Sequence, residues 1–165
     1  MPTDSRSNGQ IAYDERLLDA INVRLLTELR DNPRLSMSEL GRRVGMSAPA
    51  VTERVQRLER AGVIAGYRID IDPAALGMPV TALVRVRPGP GMLPKVAEAA
   101  RDTPQVVECH RITGEDCFYL KLHAPSIMQL EEVLDRFLIY GQTTTSIVVS
   151  TPVPPRALPL PEVMA

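Results

Sequence analysis

Between Ser47 and Arg60 the chain sets small, hydroxyl-bearing and guanidinium side chains along one helical repeat: Ser47, Ala48, Pro49, Ala50, Thr52, Glu53, Arg54 and Arg57. These types can read base edges. A guanidinium donates paired hydrogen bonds to guanine, a carboxylate accepts from cytosine, and a hydroxyl does either. Ala48 and Ala50 keep bulk away from the start of the helix, where it would hold a duplex off. Arg42, Arg43 and Arg60 flank this stretch and suit phosphate contacts that set register. The chemistry implied is insertion of a helix into the DNA major groove. A solvated helical hairpin also carries arginines, so charge alone decides little. The compact corner ahead of the helix and the continuation Ala61-Gly62-Val63-Ile64 favour DNA.

Other clusters offer less. Glu108, Cys109, His110 and Cys117 include zinc-ligand types. Cys109 and His110, however, are neighbours on an expected strand and so point to opposite faces, and His123 is the only other histidine. No metal and no cofactor are expected. Arg85, Arg87 and Arg111 could hold phosphate. No phosphate-cradling glycine loop, Ser/His/Asp set, paired catalytic carboxylates or dinucleotide fingerprint accompanies them. An enzyme is not expected.

The base-reading face must be positioned by helices meeting at a corner. Leu40 and Val44 give one short helix an inward face. Gly45 ends it in the left-handed conformation that helix ends favour, and Met46 plugs the corner. Ser47 is a good N-cap for the second helix, and Pro49 falls in its first turn. Val51, Val55 and Leu58 recur at helical spacing and bury one face. Ahead of this pair, Asp19 can cap a supporting helix with Ile21, Leu25, Leu26 and Leu29 as its apolar stripe, stopped at Asn32-Pro33. Ile64, Tyr67, Ile69 and Ile71 suggest a short extended exit, a wing or a strand.

Hydrophobic content is 44% with only 4% aromatics and no Trp, so aliphatic side chains must fill the core. The net charge of −1 is not that of a nonspecific nucleic-acid coat. Residues 1–70 carry 11 basic and 10 acidic side chains, so the DNA-reading half needs a local basic face and several copies per site. No apolar run is long enough to span a membrane and no signal-peptide core opens the chain. A cytoplasmic protein with reduced Cys109 and Cys117 is expected.

After Asp72–Pro79 the rhythm changes. Val80, Ala82, Val84 and Val86 alternate with Thr81, Leu83, Arg85 and Arg87, a strand pattern. A helix over 92–101, a strand through Val106, Val107 and Ile112, and a strand over 117–123 follow. A helix over 126–138 has Ser126 and Gln129 as a capping box and Ile127, Leu130, Val133 (or Leu134) and Phe137 inward. Gly141 breaks it, and Thr143 to Ser150 forms the last strand. Strand, helix, strand, strand, helix, strand is the ferredoxin-like βαββαβ order. The apolar alternate residues of its open sheet face are expected to be covered by a second copy. The fold class is therefore α+β, an N-terminal winged helix-turn-helix followed by a ferredoxin-like domain. The expected division is a flexible arm over 1–13, the helix-turn-helix domain over 14–71, a linker over 72–79, the βαββαβ domain over 80–151 and a proline-rich tail over 152–165.

The stretches LDAINVRLLTELRDNPRLS, ELGRRVGMSAPAVTERVQRLERAGVIAGY, VVECHRITGEDCFYLKL and TTTSIVV resemble the Lrp/AsnC (leucine-responsive, feast/famine) transcriptional regulators over residues 18 to about 150. The resemblance implies a sequence-specific DNA-binding regulator that pairs through its βαββαβ domain and assembles further, commonly to octamers. It also implies an amino acid or related small molecule bound between subunits. Carried over, the DNA-reading positions are Ser47, Ala48, Pro49, Ala50, Thr52, Glu53, Arg54 and Arg57. The effector positions are Gly114, Glu115, Asp116 and Cys117, with Gly141, Gln142, Thr143, Thr144, Thr145 and Ser146. Cys117 stands where the family often has Asp, so the acidic groups here are Glu115 and Asp116. The alternatives are an effector-independent DNA-bending protein and a protein-interaction module of the same fold.

Overall fold

The structure is a computed structural model describing residues 17–161. The expected arm over 1–13, and the last four residues of the proline-rich tail, lie outside the described residues. The described chain divides into two compact units, one running to Ile69 and including residues from Pro155 onward, the other running from Asp70 to Pro154.

The first unit is built on helices α1 (Ala20–Asp31), α2 (Met37–Val44) and α3 (Ala48–Arg60). Each start has a local cause. Asp19 accepts the Asn22 amide at 2.7 Å, and the Ser36 hydroxyl accepts the Glu39 amide at 3.2 Å. Asn32, ahead of Pro33, leaves helical geometry and ends α1. Gly45 ends α2 at φ 75°. Leu25, Leu29, Leu35, Leu40, Val44, Val51 and Val55 form one buried cluster, with Ile21, Met37, Met46 and Ile64 packed against it. The stripe of α1 differs from expectation. Asn22 and Val23 are buried, while Ile21 and Leu26 are only half-buried. No strand forms over 61–71; this segment is irregular, and Tyr67 donates its hydroxyl to Glu59 at 3.1 Å.

In the second unit a 3-10 turn over Pro73–Leu76 leads into strand β1 (Val80–Pro88). Helix α4 (Leu93–Asp102), strands β2 (Val106–Arg111) and β3 (Phe118–Ala124), helix α5 (Ile127–Leu138) and strand β4 (Gly141–Ile147) follow. The strands form one antiparallel sheet in the order β2-β3-β1-β4. Ala82, Val84, Val86, Phe118, Leu120 and Leu122 point to one face and meet Val96, Ala100, Leu130, Val133 and Phe137 of the two helices. This is the βαββαβ arrangement.

Three expectations are corrected here. Ile127 is 58% exposed and is not part of the inward stripe of α5. The last strand begins at Gly141 rather than Thr143 and ends at Ile147, because Gly141 pairs with Pro88. A Cβ at Gly141 would collide with the Arg87 carbonyl, so glycine serves close backbone approach there. Finally, the open sheet face is polar. The cross-strand pairs put Thr81, Arg85, Arg87, Glu108, His110, Lys121, His123, Gln142, Thr144 and Ser146 on it, with Leu83 and Tyr119 as the larger apolar groups. The expectation of an apolar open face fails because the alternation on β1 and β3 sends Ala82, Val84, Val86, Phe118, Leu120 and Leu122 to the helices.

Candidate nucleic-acid interface and effector loop

The corner between α2 and α3 presents α3. The Met46 amide donates to the Gly41 carbonyl at 2.9 Å, closing the turn. Val51, Val55 and Leu58 bury the inner face of α3. Pro49, Glu53, Gln56, Arg57 and Arg60 are exposed, and Ala48, Ala50 and Thr52 are half-buried between them. Gln56 is an addition to the expected readers. The spacing 49, 53, 56, 60 already put it on this face, and its amide can pair bidentately with adenine.

The arginines divide into two groups. Among the described residues, the side chains of Arg42, Arg57 and Arg60 make no hydrogen bond or ion pair and stand exposed. Arg43 is tied to Glu28 at 2.6 Å and reaches Glu39 at 3.6 Å. Arg24 donates to the Arg43 carbonyl at 2.7 Å, satisfying a carbonyl at the end of α2. Arg54 differs from its expected placement. Its Nη1 donates to Asp19 Oδ2 at 2.6 Å and to Asn22 Oδ1 at 3.0 Å, so the guanidinium turns toward α1.

Asp19, Asn22, Met46, Ala50, Glu53, Arg54 and Arg57 line a shallow cleft of about 280 Å³. Burial pushes the Asp19 carboxyl up. The hydrogen bonds from Arg54 and the Asn22 amide, with the Arg54 charge, outweigh it and leave its pKa below 3.8. Ser47 sits at the N-cap of α3 but makes no capping hydrogen bond, which leaves its hydroxyl to other partners. The Thr52 hydroxyl donates to the Ala48 carbonyl at 2.9 Å, so outward it offers lone pairs and a methyl.

In the second unit, the two expected effector segments flank the same end of β1. Gln142 pairs with Arg87, and Thr144 with Arg85. From the β2–β3 loop, Glu115 hydrogen-bonds Arg87, and Asp116 lies 3.4 Å from Arg85 and 3.6 Å from Arg87. Gly114 adopts φ 109° in this loop, and the Cys117 thiol points back to the Gly114 and Glu115 carbonyls at 3.8 Å. Thr143 and Thr145 pair with Val86 and Val84 and so lie on the helix-facing side, away from Gln142, Thr144 and Ser146. In the sequence Arg85 and Arg87 are phosphate-ligand types with no accompanying enzyme motif. Here they neutralise the acidic loop. Glu108 and His110 share the open face, and Cys109 pairs with Leu120 on the other. Among the described residues no group of His, Cys, Asp and Glu side chains is arranged to hold a metal. No helix among them is long and apolar enough to cross a membrane.

A three-helix head presenting an Arg-bearing helix, followed by a βαββαβ unit with a charged loop, defines a DNA-binding regulator with a separate ligand-binding domain. Residues 18–65 match the winged helix-turn-helix DNA-binding family model, and residues 81–158 match the Lrp/AsnC ligand binding domain. The HTH-type transcriptional regulator LrpC of Bacillus subtilis is 35% identical over 81% of this chain and 92% of its own length. Its solved structure superposes with a TM-score of 0.76, at 34% identity over 81% of this chain and 95% of that one. The feast or famine regulatory protein of M. tuberculosis, solved with L-methionine, gives a TM-score of 0.79 at 32% identity over 86% of this chain and 98% of that one. The chain belongs to the Lrp/AsnC family of transcriptional regulators.

Proposed function

We propose that two copies present α3 to successive major-groove turns of a pseudo-palindromic site, and that a small molecule at the β1–β4 end of the sheet tunes this binding. The observation that carries the DNA reading is the exposed, unpaired set Arg42, Arg57 and Arg60 beside the small residues Ala48 and Ala50. Arg57, with Ser47, Thr52, Glu53 and Gln56, reads base edges, while Arg42 and Arg60 hold phosphates. Ala48, Pro49 and Ala50 allow the close approach.

The effector region comprises Gly114, Glu115, Asp116, Cys117 and Gly141 to Ser146. Two arginines and two carboxylates together there suit a zwitterion, whose carboxylate and ammonium each find an opposite charge. The family relative solved with L-methionine supports an amino acid as the ligand class. Ile127, Met128 and Leu138 of α5, with Ile139 just after it, leave apolar surface exposed that association between copies would cover. A homodimer that assembles further, to an octamer, follows from the family resemblance. The domain boundaries at 14–71, 72–79 and 80–151 serve this division of labour. The protein acts without catalysis and in the cytoplasm.

The test is selection of bound duplexes from a random library, with and without a panel of amino acids. The expected outcome is an enriched sequence with two half-sites about one helical turn apart, and a shift in retention with at least one amino acid. No enrichment would sink the DNA reading. Enrichment indifferent to every amino acid would leave the effector-independent architectural alternative standing.

A further inference from the structure

We propose that Arg54 is a positioning residue that ties the base-reading helix to the start of α1, and that it does not itself read bases. This rests on α3 entering DNA. It assigns Arg54 a different task from Arg57 one turn along.

The geometry supplies three observations. Asp19 uses its two oxygens for two jobs: Oδ1 takes the Asn22 amide as the N-cap of α1, and Oδ2 takes Arg54. Asn22 is only 4% exposed, and both ends of its side-chain amide are used. Its Nδ2 donates to the Leu17 carbonyl at 3.1 Å and its Oδ1 accepts from Arg54 at 3.0 Å. A buried amide of this kind holds its orientation, because turning it would leave two polar atoms unpaired. The Arg54 side chain is 30% exposed, whereas Arg57 stands in solvent on the outer stripe. A guanidinium with two charge-assisted or fixed acceptors must give them up before it can reach a base.

The arrangement sets the roll of α3. The apolar inner face fixes which side of α3 is down, but aliphatic packing is not directional. The two hydrogen bonds from Arg54 Nη1 are, and they join α3 to the one helix of the head that does not adjoin it in sequence. Turning Arg54 toward α1 also leaves Glu53, Gln56 and Arg57 as long polar groups free to reach the groove.

Asp19→Asn is the discriminating variant, since Asn also caps helices well and only the ion pair is lost. The probe is the duplex most enriched by the unmodified full-length protein from a random library. With Asp19→Asn and with Arg54→Ala we expect affinity for that duplex to fall about tenfold, the scale of a lost charge-assisted hydrogen bond. Base preference should be unchanged at every position, and the double variant should be no weaker than either single one. Arg54→Lys, which keeps the charge near Asp19, should recover part of the loss and covers the case in which Arg54→Ala does not fold.

The proposal is overturned if Arg54→Ala or Arg54→Lys flattens preference at one base position while Asp19→Asn binds as well as, or better than, the unmodified protein. Failure of the unmodified protein to enrich any duplex would instead overturn the DNA reading itself.

Discussion

Gly41→Ala tests the corner that presents α3. Gly41 is buried in α2, and a Cβ there would sit 2.5 Å from the Met46 carbonyl oxygen and 3.5 Å from the Ala48 nitrogen. Ordinary carbon–oxygen separations are about 3.3–3.6 Å, so the corner must yield by about 0.8 Å. The obstacle is backbone, and the Met46 amide is itself bonded to the Gly41 carbonyl, so no side chain can swing aside. Overpacking of this kind costs about 1–3 kcal/mol. Alanine's better helix propensity returns about 1 kcal/mol. The net is a destabilisation of about 1 kcal/mol, or roughly 4–8 °C in the melting of a small domain.

The larger effect is on position, because Ala48 begins the base-reading helix. Gly45→Ala is the matched control. Nothing lies within 4 Å of its Cβ, and its cost is the left-handed backbone at φ 75°, about 1–2 kcal/mol. Hydrogen exchange resolved by peptide would follow α2 and α3 separately from β1 and β3, alongside retention of a selected duplex. The expected result is a similar loss of protection in the head for both variants, an unaltered second unit, and a marked loss of DNA binding only for Gly41→Ala. Equal DNA binding by the two variants at equal stability would show that the corner does not aim α3.

Asp19 has a folded-state pKa below 3.8, so its ion pair stabilises the head above that value and is lost as pH falls through the depressed one. Acid titration of head unfolding should show this loss, and Asp19→Asn should remove it. In the second unit, burial and then the Lys121 charge push the His123 imidazole below 6.5, with Glu108 pulling the other way, and the ring lies 3.0 Å from the Thr81 hydroxyl. Its stabilising contribution is present above 6.5 and fades as pH falls through the lowered pKa, so the denaturation midpoint of this unit should drop on mild acidification and flatten in His123→Gln. Phe137 is fully buried under the sheet, and Phe137→Ala should cost about 3–5 kcal/mol in urea unfolding of that unit. Arg42→Ala and Arg60→Ala should each reduce the dependence of log affinity on log salt by about 0.9 for every phosphate no longer neutralised, without changing base preference.

What the sequence made legible was local. The Asp19 and Ser126 caps, and the glycine that ends α2, follow from neighbours within a few residues. The faces of α3 and of the strands follow from spacing. What escaped depended on distant partners. Arg54 meets Asp19 from 35 positions away, and no periodicity announces that an arginine on an outer face will turn inward. Ile127 continues the inward spacing of α5, yet spacing gives a face and not the point where the sheet beneath it ends. The polar open face was available in principle, since the residues opposite Ala82, Val84 and Val86 in the alternation are mostly charged or hydroxylated. The effector segments could be named only by resemblance. Their meeting at the end of β1, with Arg85 and Arg87 between them, required the strand order.

Dimethyl sulfate footprinting on a selected duplex probes entry of the outer face of α3 into the major groove. Guanine N7 lies in the major groove and adenine N3 in the minor groove. Protection of guanine N7 is expected in two patches about one helical turn apart, with one guanine in each patch losing protection in Arg57→Ala. Protection confined to adenine N3, or a guanine pattern untouched by Arg57→Ala, would mean that α3 does not read the groove.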